Sequence, residues 1–246
     1  MNTNQSATPR KISLCIPMYN ENSIIADTAR TLHDYMSSTF ENYEIIFSND
    51  GSKDGCDATV EALGLPHVRV VGYAQNQGKG CAVRTAMLAA EGDIVMFTDA
   101  DLAYGTEVIR RAYDTLTATP DADILIGSRN LSKDGYEGYT LLRRLASKTY
   151  IKVLCLVGGF RLSDSQCGCK AFRRDAVQRI FPRCEVNGFA FDFEAILWAT
   201  KLGMTFCEMP VKIINHRESK VNVLRDTVKM LRDLRRMKKR IKHAQM

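Results

Sequence analysis

Short, solidly apolar runs alternate with segments of helical period through the first half of this chain. ISLCI (12–16), YEIIFS (43–48), HVRVVGY (67–73), DIVMFT (93–98) and ADILIG (122–127) are the runs. Between them, residues 22–39, 54–63, 79–90 and 105–117 read as helices. In the first of these, Ile24, Ile25, Thr28, Leu32, Tyr35 and Met36 recur at three- and four-residue spacing. A strand that is apolar on both faces has no wet side, so these strands belong to a mostly parallel sheet covered by helices on both faces. Pro17 is expected to stop the first strand. In such a sheet ligands bind beyond the carboxyl ends of the strands. Asn20/Glu21, Asp50/Gly51/Ser52, Asp99/Asp101 and Ser128/Arg129 fall at four of those ends.

After Asn130 the rhythm changes. An amphipathic helix is predicted over about Tyr139–Val157, a short apolar segment at Lys170–Phe172, and helices ending at Ile180 and spanning Asp192–Leu202. Strand-like pieces follow at Thr205–Cys207 and Val211–Ile214, and a last helix over about Val221–Lys242. This half reads as an irregular layer on the same sheet. The expected division is a disordered arm (1–11), one domain (12–216), and a basic closing loop with an amphipathic helix (217–246). Charge follows that division. The tail from Arg217 holds 11 Lys/Arg against 3 Asp/Glu, whereas the rest holds 23 against 25. A basic tail on a near-neutral body points to a surface or a partner rather than to nucleic acid. Leu224, Val228, Leu231, Leu234 and Ile241 form an apolar stripe in it, which either meets a membrane or packs on the body. No run reaches the ~18 apolar residues of a membrane span. The polar N-terminus does not read as an export signal, so the eight scattered cysteines are expected as reduced thiols.

Asp99-Ala100-Asp101 is the strongest local feature. Two carboxylates one residue apart, just past a strand, can hold Mg²⁺ or Mn²⁺ that keeps waters and takes its other ligands from a diphosphate. In Asn49-Asp50-Gly51-Ser52-Lys53-Asp54, Asp50 could accept a nucleobase N–H and Asp54 could cap the next helix. Gln77-Gly78-Lys79-Gly80 is not a phosphate loop, because Tyr73 and Gly80 stand where that motif needs Gly and Ser/Thr, and no GxGxxG occurs. Cys167-Gly168-Cys169 without partners reads as packing, and His216 as structural. Asp192 and Glu194 are open to two readings, as a base for a hydroxyl acceptor or as orienters of nearby cations.

Taken together, these pieces resemble the GT-A fold of glycosyltransferase family 2: PMYNEN (17–22), NDGSKDG (49–55), NQGKGCAVRTAM (76–87), FTDADL (97–102) and GSR (127–129). DSQCGCKAF (164–172), GFAFDFE (188–194), EMP (208–210) and RESKV (217–221) look like its dolichyl-phosphate β-glucosyltransferase branch, and the resemblance spans about residues 12–235. It implies a GT-A, Rossmann-like α/β fold with a C-terminal basic helix. It further implies nucleotide-sugar contacts at Pro17, Tyr19, Glu21, Asp50, Lys79, Asp99, Asp101, Arg217 and Lys220. Asp99 and Asp101 would hold the metal, Mg²⁺ or Mn²⁺. Arg129, Arg143, Ser147 and Ser219 would handle the acceptor phosphate, and Asp101, Arg129 and Asp192 would be the catalytic set. Two departures stand out: Asn49 replaces the usual first Asp, and Ala103 stands where mannosyltransferases have Gln.

The activity expected from this is metal-dependent, inverting transfer of a hexose from a nucleotide sugar, UDP-glucose favoured, to polyprenyl or dolichyl phosphate. It would take place at the cytoplasmic face of a membrane, or against a small membrane partner. A lipid monophosphate is already anionic, so it needs positioning and relief of charge repulsion more than a base. Arg129, Arg143, Lys170, Arg217 and Lys220 could supply that, with Arg144 and Lys148 either helping or merely solvated. The alternatives are a GDP-mannose donor, a saccharide hydroxyl acceptor with Asp192 or Glu194 as base, and a non-catalytic sugar-nucleotide binder.

Overall fold

A computed structural model describes residues 10–135, 149, 151–152, 154–156, 158–215, 234 and 236–244. The apolar runs become β1 (Ile12–Met18), β2 (Tyr43–Asp50), β3 (Val68–Tyr73), β4 (Ile94–Phe97) and β5 (Ile124–Ser128). Between them lie α1 (Asn22–Thr39), α2 (Cys56–Ala62), α3 (Lys79–Ala89) and α4 (Glu107–Ala118). The second half contributes β6 (Lys170–Arg173), α5 (Arg174–Ile180), α6 (Phe191–Lys201) and β7 (Phe206–Pro210).

The described strands form one sheet in the order β3-β2-β1-β4-β6-β5-β7. All its pairings are parallel except those of β6, which runs antiparallel to both β4 and β5. The solid apolar runs are explained by two cores, one on each face. Along β1, Leu14 and Ile16 enter one core and Cys15 the other, and in β2 Ile45 and Phe47 oppose Ile46 in the same way. Side chains alternate across a strand, so a sheet buried on both faces must be apolar at every position. Helices α1 and α4 cover the first face, and α3, α5 and α6 the second.

Several expectations are corrected. β1 does not stop before Pro17 but runs to Met18, with Pro17 in register opposite Ser48. Pairing with β4 ends at Cys15 opposite Phe97, and the Cys15 carbonyl still points that way, accepting Thr98 N–H. Pro17 shares that direction, so its missing N–H faces a side where β4 has already ended. The Lys170–Phe172 segment is not a surface layer. It is the core of β6, wedged between β4 and β5. Helix α2 is capped by Gly55 in a left-handed conformation (φ 78°), although Asp54 Oδ1 still accepts the Cys56 N–H at 3.2 Å. Val211–Ile214 forms no strand; Ile214 and Asn215 instead donate their N–H groups to the Ala103 carbonyl.

The C-terminal stripe is divided. Leu234 and Ile241 are buried in the second core together with Met237, so this part of the apolar face packs on the body. Lys201 Nζ donates to the carbonyls of Ile241 and, at 2.7 Å, Ala244, satisfying the end of the final helical turn. Leu224, Val228 and Leu231, like the arm at 1–9 and most of the helix predicted over 139–157, lie outside the described residues.

Candidate active site

The strand ends converge at one rim. Because β6 is antiparallel, its first residue, Lys170, pairs with Phe97 and Ile126 at the carboxyl ends of β4 and β5. The inserted strand therefore delivers residues 167–170 into the crevice that the parallel strands open. Thr28 Oγ1 of α1 donates to the Ala100 carbonyl at 2.8 Å and fixes the loop after β4 from below. From the other side Asn215 Nδ2 donates to the Leu102 carbonyl at 2.9 Å.

At the end of β2, Asp50 is 3% exposed and accepts from Tyr73 Oη (2.7 Å), Asn76 Nδ2 (2.8 Å), Gln77 N–H (2.9 Å) and Gly78 N–H (2.9 Å). Expected against a nucleobase, its carboxylate here shapes the 76–78 loop. Burial, with Cys81 and Asp50 adding to it, pushes the Tyr73 phenol far above its ordinary pKa, so it remains a donor. The Asn49 departure also has a local reason. Its amide donates to Asp57 Oδ2 (2.9 Å) while its oxygen accepts Ser52 N–H (2.9 Å). An aspartate there would face Asp57 with like charge.

The loops after β1 and β2 are laced together by Asn20, which takes the Lys53 N–H on its side chain and gives its own N–H to Ser52 Oγ. Pro17 ends near this rim, Tyr19 is 43% exposed beside it, and Glu21 stands at the start of α1.

At the end of β4, Asp99 Oδ1 holds Lys79 Nζ at 2.5 Å. Burial works to lower the Lys79 pKa, but Asp99 first, then Asp192 and Asp101, outweigh it and the pKa is raised, so the ammonium stays charged. Asp99 Oδ2 faces the edge of Gly168, where an added Cβ would lie 2.5 Å away. Asp101 Oδ1 accepts the Ala103 N–H at 3.0 Å and turns the loop. Among the described residues no group of three or more His, Cys, Asp or Glu is placed to hold a metal ion by itself. The protein thus offers a pair of hard carboxylates, which fits a cation such as Mg²⁺ or Mn²⁺ that fills its shell with water and diphosphate oxygens.

Beneath the carboxylates lies a buried ion pair. Lys170 is 1% exposed and donates to Asp192 Oδ1 and to the Cys167 carbonyl, both at 2.6 Å, with the Phe97 ring 5.5 Å away. Lys170 therefore does not reach out to a phosphate, as the sequence suggested it could. Burial raises the Asp192 pKa although Lys170 opposes the shift. Lys170→Met should cost about 3–5 kcal/mol at neutral pH by stranding the carboxylate. Because a raised folded-state pKa means the protonated form is favoured, that deficit should shrink as pH falls through the Asp192 pKa. Urea denaturation of the variant across pH 4–8 measures both effects.

Arg129, past β5, is held by Asp164: Nε to Oδ2 at 2.6 Å and Nη2 to Oδ1 at 3.0 Å, with Asp164 fully buried. Ser128 Oγ lies 2.5 Å from Ser163 Oγ, whose N–H and hydroxyl both reach Glu208 Oε1 of β7. One edge of the guanidinium is thus spent on orientation. A cleft of about 630 Å³ opens alongside, lined by Asn130, Ile151, Lys152, Phe160, Arg161 and Leu162 among others.

Sequence reasoning assigned no role to Asp164, Glu208 or Gly168. Only their membership of the DSQCGCKAF and EMP stretches marked them, since their partners lie tens of residues away. Glu194 does not face the rim; it accepts the N–H groups of Glu185 (2.9 Å) and Val186 (2.8 Å) and pairs with Arg240. Cys167 and Cys169 are fully buried, and burial pushes the Cys167 thiol up to about 11. Arg143, Ser147, His216, Arg217, Ser219 and Lys220 lie outside the described residues.

Residues 13–181 match the family model of glycosyl transferase family 2. The chain is 31% identical to a dolichyl-phosphate beta-glucosyltransferase of Trichomonas vaginalis, over 91% of this chain and 71% of that protein. It is 29% identical to the dolichyl-phosphate beta-glucosyltransferase of Dictyostelium discoideum, over 92% and 73% respectively. Among solved structures it resembles glucosyl-3-phosphoglycerate synthase of Mycobacterium tuberculosis in complex with Mn²⁺, UDP and phosphoglyceric acid. That likeness has a TM-score of 0.70 at 19% identity and covers 96% of this chain and 80% of the other. Mannosyl-3-phosphoglycerate synthase of Rubrobacter xylanophilus matches with a TM-score of 0.67 at 18% identity, covering 96% and 76%. These likenesses are to the GT-A fold.

Proposed function

The chain belongs to glycosyl transferase family 2 and is a glycosyltransferase, and we propose that it transfers glucose from UDP-glucose to dolichyl or a related polyprenyl phosphate. The observation that carries this reading is the charge constellation at one rim. Asp99 and Asp101 stand past β4 and Lys79, at the start of α3, pairs with Asp99, with Arg129 fixed by Asp164 on one side and Asp192 neutralised by Lys170 below. The similarity to dolichyl-phosphate beta-glucosyltransferases supports the choice of sugar and acceptor.

In this reading Asp99 and Asp101 hold a divalent cation, which when bound offsets the charge that develops on the departing UDP. Lys79, already on Asp99, lies within reach of the same diphosphate. The Asp50-organised loop and Tyr19 bound the nucleoside. The lipid phosphate oxygen forms a bond to the anomeric carbon as the bond to UDP breaks, from the opposite face, so the configuration inverts. No base is required, because the acceptor arrives ionised, and Asp192 serves to anchor Lys170 rather than to take a proton. Arg129 offers positive charge that Asp164 prevents from swinging away, and Arg143, Ser147 and Ser219 complete the phosphate site. Resemblance to the family assigns Arg217 and Lys220 to the diphosphate, and Asn215, two residues before Arg217, is tied to the Leu102–Ala103 loop. The cleft beside Arg129, apolar at Ile151, Phe160 and Leu162 with Lys152 and Arg161 among its lining, suits an anionic lipid.

A lipid acceptor requires work at a membrane surface, and the reading places the enzyme peripherally at the cytoplasmic face. Among the described residues no helix is long and apolar enough to cross a membrane.

A panel of UDP-glucose, UDP-galactose, UDP-N-acetylglucosamine and GDP-mannose with a short-chain polyprenyl phosphate, with and without EDTA, tests the proposal. Lipid-linked glucose from UDP-glucose, abolished by EDTA and restored by Mn²⁺, is the expected outcome. Transfer only to a saccharide hydroxyl, or equal rates with EDTA, would overturn it.

A further inference from the structure

The backbone strap 184–188 is held from three sides, and one of them is the C-terminal segment. Glu194, fully buried in α6, accepts the Glu185 N–H at 2.9 Å and the Val186 N–H at 2.8 Å on Oε2. Its other oxygen pairs with Arg240, which also reaches Glu185. From α3, Arg84 donates to the Cys184 carbonyl at 3.0 Å and to Asn187 Oδ1 at 2.8 Å.

The strap in turn caps the start of α3. The Asn187 carbonyl accepts the Gly80 N–H at 2.8 Å, a donor that a helix start otherwise leaves open, and shares the Cys81 N–H (3.3 Å) with the Gly78 carbonyl (2.9 Å). Contact is backbone to backbone: a Cβ on Gly78 would lie 2.5 Å from the Asn187 carbonyl oxygen, and one on Gly80 2.5 Å from that of Val186. Lys79 sits between those two glycines and reaches Asp99 at 2.5 Å. A continuous set of hydrogen bonds therefore runs from Arg240 through Glu194, the strap and the first turn of α3 to the Asp99 carboxylate.

We propose that Glu194 and Arg240 are positioning residues for nucleotide-sugar binding: docking of the C-terminal segment fixes the start of α3 and hence Lys79 against Asp99. The inference rests on the nucleotide-sugar reading of that site. The energetic reason is the buried carboxylate. Glu194 Oε1 faces the Arg240 guanidinium while Oε2 holds two backbone N–H groups, the arrangement of charge-assisted bonds. Without Arg240 one oxygen of a fully buried carboxylate loses its cationic partner, and the group no longer holds a fixed position. The strap then loosens where it touches α3, although nothing in the rim itself has changed.

The test compares full-length wild type with Arg240→Met, Arg240→Lys and Glu194→Gln. UDP binding in the presence of Mn²⁺ is measured by calorimetry, and KM for UDP-glucose and for polyprenyl phosphate are measured separately. Amide hydrogen exchange is followed at Gly80 and Cys81 without any nucleotide. Arg240→Met and Glu194→Gln are expected to weaken UDP binding and raise the donor KM about tenfold, with the acceptor KM unchanged and faster exchange at both amides. Arg240→Lys, which keeps the cation, should restore most of each effect. Should Glu194→Gln fail to fold, Arg240→Met carries the test, since that side chain is one-third exposed. Lower melting temperatures with wild-type UDP affinity and wild-type exchange would reduce the pair to a structural role and overturn the proposal. A wild type that binds no UDP would overturn the functional reading instead. Exchange at Gly80 and Cys81 then still decides whether the link exists.

Discussion

Asp101→Asn is expected to lower kcat for the proposed glucosyl transfer by about 10²–10³-fold, the scale on which removal of one preorganised electrostatic group acts, while leaving the fold intact. The substitution separates charge from structure. Asp101 Oδ1 accepts the Ala103 N–H at 3.0 Å and so shapes the loop after β4. An asparagine carbonyl can keep that bond, and the loop remains tied to Asn215 through the Leu102 carbonyl and to Thr28 through the Ala100 carbonyl. What disappears is one of two hard anionic donors. Turnover in Mn²⁺ buffer, with circular dichroism and thermal melting on the same sample, checks the prediction. Normal turnover would remove Asp101 from the donor site.

Gly168→Ala should be nearly as damaging, by about 10²-fold, through a residue that carries no chemistry of its own. A Cβ at this position would lie 2.5 Å from Asp99 Oδ2, closer than such atoms approach, and 3.2 Å from its Cγ. Asp99 Oδ1 already holds Lys79 Nζ at 2.5 Å, so Asp99 moves only at the expense of that pair. The carboxylate must therefore turn, and displacement of a reacting-site group by about 1 Å can cost that factor. Backbone strain does not confuse the result, because Gly168 is not among the glycines with positive φ. Overpacking sets the stability loss at roughly 1–3 kcal/mol. The variant should thus remain folded at 25 °C with kcat strongly reduced. Unchanged kcat would mean that Asp99 has room the structure does not show.

How much of this was legible beforehand differs between the two halves of the chain. The first five strands and four helices fall where the apolar rhythm puts them, and α1 matches its predicted bounds. Their formation follows local periodicity, which the sequence displays directly. Lys170 shows the opposite case. In sequence it is a cation near a glycine-rich motif, available to a phosphate. In the structure β6 carries it between two strands and it is spent on Asp192 and the Cys167 carbonyl. Nothing local could reveal that, since the partner lies 22 residues away on another element. The C-terminal stripe is a similar case. Periodicity gives Leu234 and Ile241 one face, but only the packing against the second core says what that face touches.

The amino-acid sequence by itself determined the α/β class, the doubly covered sheet, and the rim at which Asp50, Asp99 and Arg129 stand, because strand alternation and loop position are properties of a local stretch of chain. The tertiary structure alone decided which charges remain available. Asp50 is turned inward onto its loop, Arg129 is held edge-on by Asp164, and Glu194 is removed from the rim to hold a strap. Charge compensation inside a protein depends on distance and burial, and both are fixed by tertiary contacts that join residues far apart in the chain, Asp50 with the 73–78 segment, Arg129 with Asp164 and Glu194 with Arg240.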